Sequence, residues 1–162
     1  MCDQKARGFI TIIGVIFMLC ILAACEKKQE IMEDTKIKPP VRSYVVTARI
    51  DKKGTNSTSE GTAVLKGTYS EGTKSFSYTL EYQDLEPVSI MLRSGAKGTF
   101  GSLVKEMYKK ADENSVLLPI KGGFVLTPLQ ERNLLRGLWF VTINTPVRSP
   151  EISGILTLKQ QQ

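Results

Sequence analysis

Histidine is absent from all 162 residues of the chain. Imidazole is the side chain whose ordinary pKa lies closest to neutrality, so its absence removes the usual general acid–base group. Ser-His-Asp and Cys-His arrangements are excluded with it. So is the nitrogen ligand on which copper and zinc sites depend. Cysteine is almost as scarce: Cys2, Cys20 and Cys25 are the three, and none follows. From Glu26 onward there is no thiol for a disulfide or a metal, so stability there rests on buried apolar surface. Tryptophan occurs once, as Trp139, inside an apolar run, which suits a core or rim position better than a ligand platform. Positive charge is in excess, at +6 with a pI near 9.3, but it is dispersed. The doublets Lys27-Lys28, Lys52-Lys53 and Lys109-Lys110 lie far apart, and no run reaches the roughly five to eight basic residues of a nucleic-acid patch. A mildly basic, solvated surface without a nucleic-acid partner is the reading.

The N-terminus is the most informative stretch. Lys5 and Arg7 precede an apolar run, Phe9–Ala24, interrupted only by Thr11 and the small Gly14. Its 16 residues fall short of the ~20 that a helix needs to cross a hydrocarbon core. A positive start, an apolar stretch of this length and small residues at its end describe an export signal over residues 1–24, helical while it lasts. The alternative is a membrane helix that stays in place. Leu22-Ala23-Ala24-Cys25 resembles the lipobox of bacterial lipoproteins. That resemblance implies diacylglycerol on the Cys25 sulfur, cleavage before Cys25 and acylation of the new amine. It places the chain in the bacterial cell envelope. Glu26 stands where lipoproteins retained in the inner membrane of enteric bacteria carry aspartate, which favours the outer membrane. Residues 25–42 are rich in Lys, Glu and Asp and close on Pro39-Pro40. They suit a flexible tether, with charges too mixed for a strong electrostatic membrane clamp.

A β-rich domain is expected over residues 43–159, with 160–162 as a tail. Tyr44, Val46, Ala48 and Ile50 alternate with polar neighbours, the period of a half-buried strand. Ala63, Leu65 and Tyr69 continue the pattern after a polar loop, Asp51–Glu60. Phe76, Tyr78, Leu80 and Tyr82 form the cleanest alternation, and the short loop Ser70–Thr73 makes these two runs an antiparallel hairpin. Pro87 opens a strand with Val88, Ile90 and Leu92 on one face and Ser89, Met91 and Arg93 on the other. A glycine-punctuated bend (Gly95, Gly98, Gly101) leads to a run from Leu103 to Tyr108, and Val116–Ile120 and Gly122–Leu126 are two short candidates. Thr127-Pro128-Leu129-Gln130 supplies an N-cap hydroxyl, a proline at the first helical position and glutamine at N3. With Gly137 as terminator, a short helix near 128–136 follows, offering Leu129, Leu134 and Leu135 to the core. Leu138–Asn144 is an apolar strand and Glu151–Leu158 a closing one. Many short antiparallel strands and one helix predict a mainly β fold, a β-sandwich or partly closed barrel.

Three separated segments resemble the CHRD domain, the module named after chordin. Gly61-Thr62-Ala63 with Phe76-Ser77-Tyr78-Thr79-Leu80 and Asp84-Leu85 is similar to its hairpin. Gly95–Gly101 is similar to its glycine-rich turn. Leu126–Gln130, Leu134–Gly137, Trp139-Phe140-Val141, Asn144-Thr145 and Glu151–Leu156 follow its C-terminal signature in order and spacing. The resemblance spans Ala48 to Leu156 and implies a sandwich distantly like that of copper/zinc superoxide dismutases. Family members commonly carry a His-Ile-His triplet before the glycine turn and a third histidine later. Met91, Arg93 and Asn144 occupy those positions here, so neither metal nor any other cofactor is expected.

Other candidates carry bland readings. Asp112-Glu113 sits in a polar stretch and suits a solvated turn better than an acid–base pair. Gly95–Gly101 lacks the Gly-Lys-Ser/Thr ending of a phosphate loop, so a turn needing positive φ is favoured. Asn56-Ser57-Thr58 is a glycosylation sequon by letter and loop composition by context. Two functional classes remain. One is a non-catalytic binding or interaction module, tethered to the membrane by lipid, with an envelope protein or polysaccharide as partner. The other, a metal or redox protein of dismutase-like architecture, is disfavoured by the missing histidines.

Overall fold

The computed structural model describes residues 41–96, 98–110 and 118–161. The expected export segment, Cys25, most of the expected tether and Asp112-Glu113 lie outside the described residues. Among those described, no helix is long and apolar enough to cross a membrane.

The described residues form nine strands: β1 (Ser43–Ile50), β2 (Thr62–Ser70), β3 (Ser75–Gln83), β4 (Ser89–Ser94), β5 (Ser102–Lys109), β6 (Ile120–Val125), β7 (Trp139–Asn144), β8 (Ile152–Ile155) and β9 (Thr157–Gln160). The strands build a five-stranded sheet in the order β6-β3-β2-β1-β9 and a four-stranded sheet in the order β5-β4-β7-β8. Every pairing is antiparallel. Val46, Ile50, Leu65, Phe76 and Leu80 face inward from the first sheet, and Ile90, Leu92, Trp139, Val141, Ile143 and Ile152 from the second; all are fully buried. Burying each such side chain contributes about 1.5–3 kcal/mol. The architecture is a β-sandwich, the first of the two expected forms, and its two sheets do not close into a barrel.

Gly67 falls at the inward step between Leu65 and Tyr69. A Cβ there would lie 3.1 Å from the Phe76 ring and closer still to the Ser77 carbonyl. The missing side chain is what lets Phe76 reach Trp139, edge to face at 5.8 Å.

The helix α1 (Pro128–Leu135) begins and ends as its sequence specifies. Thr127 Oγ1 accepts from the Gln130 amide at 3.3 Å, and Gln130 Oε1 accepts from the Thr127 amide at 2.9 Å. At the other end Gly137 takes φ +69°. Its amide donates to the Leu134 carbonyl, and that of Leu138 to the Asn133 carbonyl, the paired bonds of a Schellman turn. Tyr69 donates to Glu131 at 2.5 Å and Lys74 at 2.7 Å, which ties α1 to the β2–β3 hairpin.

Three local expectations need correction. Only Leu134 of α1 is buried; Leu129 and Leu135 are 56% and 41% exposed. At about 100° per residue these three positions spread around the helix, and a two-turn helix on the sandwich margin docks one of them. The two short candidates before α1 resolve into a single strand, β6, while Val116 lies outside the described residues. The closing run Glu151–Leu158 is two strands. β8 pairs with β7, the chain crosses at Leu156, and β9 pairs with β1 as far as Gln160. Gly154 permits the crossing, because a Cβ there would collide with the Arg49 backbone carbonyl. Ile152, Gly154, Leu156 and Leu158 keep period two throughout, so alternation cannot register the change of sheet. Gln160, expected in the tail, belongs to β9.

Candidate functional site

The site lies on the outward face of the four-stranded sheet. Period two sends Met91 and Arg93 of β4, Phe140, Thr142 and Asn144 of β7, and Ser153 and Ile155 of β8 away from the core. Register then sets them side by side: Met91 opposite Thr142, Ser89 opposite Asn144, Arg93 opposite Phe140. Across β7, Thr142 faces Ser153 and Phe140 faces Ile155. The three positions singled out in the sequence, Met91, Arg93 and Asn144, are thus brought together on neighbouring strands.

Three loops rise around this face and enclose a groove of about 760 Å³. The first runs through Lys53–Asn56. Asp51 accepts from the Lys53 amide at 2.9 Å, starting a single 3-10 turn, Lys52–Gly54. The second is the glycine bend, where Gly98 and Gly101 take φ +81° and +61°. Gly101 packs against the far end of the Phe140 ring, where a Cβ would sit 2.8 Å from it. The third is Arg148–Pro150. The Thr145 hydroxyl accepts from the amides of Val147 and Arg148, both at 3.3 Å, and shapes this turn. Arg148 donates to the Thr55 carbonyl at 3.2 Å, and Thr55 donates to the Glu151 carbonyl at 2.5 Å, stapling the first loop to the third.

Within the groove the family positions are committed to one another and to neutral partners. Arg93 donates to the Met91 thioether at 3.1 Å and to the carbonyls of Phe100 and Gly101 at 3.4 and 3.3 Å. Its guanidinium also stands 5.2 Å over the Phe100 ring. The Asn144 amide donates to Ser89 at 2.8 Å, and its oxygen accepts from Ser149 at 3.0 Å. Thr142 differs: it is 5% exposed, and its hydroxyl has no partner. Trp139 Nε1, on the core side of the same strand, is likewise unpartnered.

Lys53, Arg93 and Arg148 line the groove, and among the described residues no carboxylate does. The nearby acids are engaged elsewhere. Asp51 lies 3.3 Å from Arg49. Hydrogen bonds from Thr145 and Ser59, with the field of Arg148, hold the Glu151 carboxyl below the usual carboxylate range.

A copper or zinc ion of the kind the family histidines suggest does not fit this donor set. The one thioether already accepts from a guanidinium, that guanidinium repels a cation, and both ends of the Asn144 amide are bonded. Among the described residues no cluster of three or more acidic, cysteine or histidine side chains is placed to hold a metal.

Sequence reasoning found Met91, Arg93 and Asn144 but missed Thr142, Phe140, Lys53 and Arg148. Reading β7 at period two was the available signal, since it sets Phe140, Thr142 and Asn144 opposite the core residues Trp139, Val141 and Ile143. Burial of both faces of β7, which marks the groove, depends on loops packed from elsewhere in the chain.

Fold and groove together define an antiparallel β-sandwich domain whose concavity lies on a sheet face rather than at strand ends. The chain belongs to the CHRD domain family: residues 45–156, well over half of its length, match that family. Neither a curated protein nor a solved structure matches it. The family match runs from within β1 to the residue after β8, so the whole groove falls inside it.

Proposed function

We propose that the chain is a lipid-anchored protein of the bacterial envelope, outer membrane favoured, whose CHRD domain is a non-catalytic binding module. Support for the anchor comes from the sequence: a positive start, a short apolar run and Leu22-Ala23-Ala24 before Cys25. The charged residues 26–42 then serve as a tether holding the domain away from the bilayer.

The observation that carries the binding reading is the groove itself, about 760 Å³ on the outward face of a sheet. Leaving a buried hydroxyl without a hydrogen bond costs about 1–3 kcal/mol. The Thr142 hydroxyl bears that cost closed off from solvent, beneath the groove floor. The lining offers hydroxyls, amides, cations and two phenyl rings, with no imidazole and, among the described residues, no carboxylate. It is equipped to hold and orient a ligand rather than to move protons.

Capture from detergent-solubilised envelopes tests this reading, with the full-length chain as bait beside a Phe100→Ala/Thr142→Val variant. Phe100 is 73% exposed, so its truncation spares the core. An envelope component retained by the wild type and lost by the variant is the expected result. Identical capture by both would remove the groove from the function.

A further inference from the structure

We infer that the groove takes an anionic saccharide, its acid groups held by Arg93, Arg148 and Lys53 and its ring faces by Phe100 and Phe140. The inference rests on the binding-module reading and names the ligand class for the same site.

Charge is the first argument. Three cations arrive from separate parts of the chain, the first loop, β4 and the third loop, and among the described residues the lining holds no carboxylate to balance them. The hydrogen bonds of Arg93 go to two carbonyls and a thioether, and that of Arg148 to a carbonyl. None of these partners is charged, and Glu151, which feels the field of Arg148, lies outside the lining. A concave site lined by one sign focuses its field and concentrates the opposite ion.

The uncharged lining is the second argument. The hydroxyl residues Thr55, Ser149 and Ser153 line the groove with Phe100 and Phe140. Hydroxyls both donate and accept, which suits a ligand rich in hydroxyls, and a flat ring suits the C–H face of a sugar. The volume of about 760 Å³ lies within the ~300–1,000 Å³ of sites that enclose a small ligand, enough for a few sugar rings.

Topology argues against an acidic peptide. Peptides commonly bind by adding a strand to an open sheet edge. Here the groove floor is β4 and β7, each already paired on both sides, so it offers no free backbone ladder.

The test uses the full-length chain in neutral detergent micelles, titrated with oligogalacturonide, dextran sulfate, uncharged dextran and polyglutamate. Binding to at least one acidic saccharide is expected, with dextran and polyglutamate at least about ten-fold weaker. Lys53→Gln/Arg148→Gln is expected to weaken it by about ten-fold. The control Lys66→Gln/Lys121→Gln, with the same charge change on the outer face of the other sheet, is expected to stay within about two-fold. Failure of both acidic saccharides to bind would overturn the inference. So would equal binding of polyglutamate or dextran, or equal loss in the control variant. In each of those cases groove-dependent capture from envelopes would still uphold the binding module, so the two failures are distinguishable.

Discussion

Thr142 stands near the middle of β7 with its branch packed and its hydroxyl unpartnered. Replacing it by valine keeps the β-branch and removes the unsatisfied group. Thr142→Val should therefore raise folding stability by about 1 kcal/mol, seen as a higher urea midpoint at constant m-value. A lowered midpoint would mean that the hydroxyl is satisfied in solution. Glu131 is the opposite kind of residue, a carboxylate with more partners than most. Hydrogen bonds from Lys74 and then Tyr69 hold its carboxyl below the usual range, against the opposing effect of burial. Because the folded-state value is depressed, the unfolded chain takes up this proton first as pH falls. The stabilisation is present in full above the ordinary carboxylate range and drains away as pH drops through the folded value. Glu131→Gln should lower stability at neutral pH and flatten its decline in acid. Urea midpoints measured from neutral to strongly acidic pH check this, and parallel curves for the two proteins would contradict it. Tyr69 carries the reverse sign. Burial, and then the bond to Glu131, push its hydroxyl above the ordinary tyrosine value, so its contribution fades only in alkali.

Helix α1 shows what local chemistry specifies and where it stops. The hydroxyl of Thr127, the glutamine at N3 and Gly137 act within a few residues of themselves, and both helix ends were legible for that reason. Removing the cap with Thr127→Ala should cost about 1 kcal/mol, read from the denaturant midpoint; an unchanged midpoint would show the cap to be idle. Which leucine of α1 docks was not legible, because that depends on where the sandwich margin passes. The strands repeat the lesson. Phe76, Tyr78 and Leu80 announce β3 by alternation alone. The break between β8 and β9 leaves alternation intact, and only the approach of Gly154 to Arg49 reveals it. At the groove, β4 could be read two residues at a time, which found Met91 and Arg93. Lys53 and Arg148 could not be found that way, because their loops, distant in sequence, meet through the bond from Arg148 to the Thr55 carbonyl.

For the whole molecule, residues 1–24 and the domain make separate demands. If Leu22-Ala23-Ala24 precedes a lipidated cysteine, Cys25→Ala should accumulate uncleaved and without lipid. Mass spectrometry of the wild type should find a diacylglycerol adduct at a new N-terminus, and an unmodified N-terminus would remove the anchor from the account. The central claim concerns the groove, and photo-crosslinking in the cells that make the protein tests it most directly. A diazirine side chain at Phe100, at the groove mouth, is compared with one at Glu81, exposed on β3 of the other sheet. Discrete adducts from position 100, absent from position 81 and diminished by Lys53→Gln/Arg148→Gln, are the expected result. Equal labelling at the two positions, or no adduct from position 100, would contradict it.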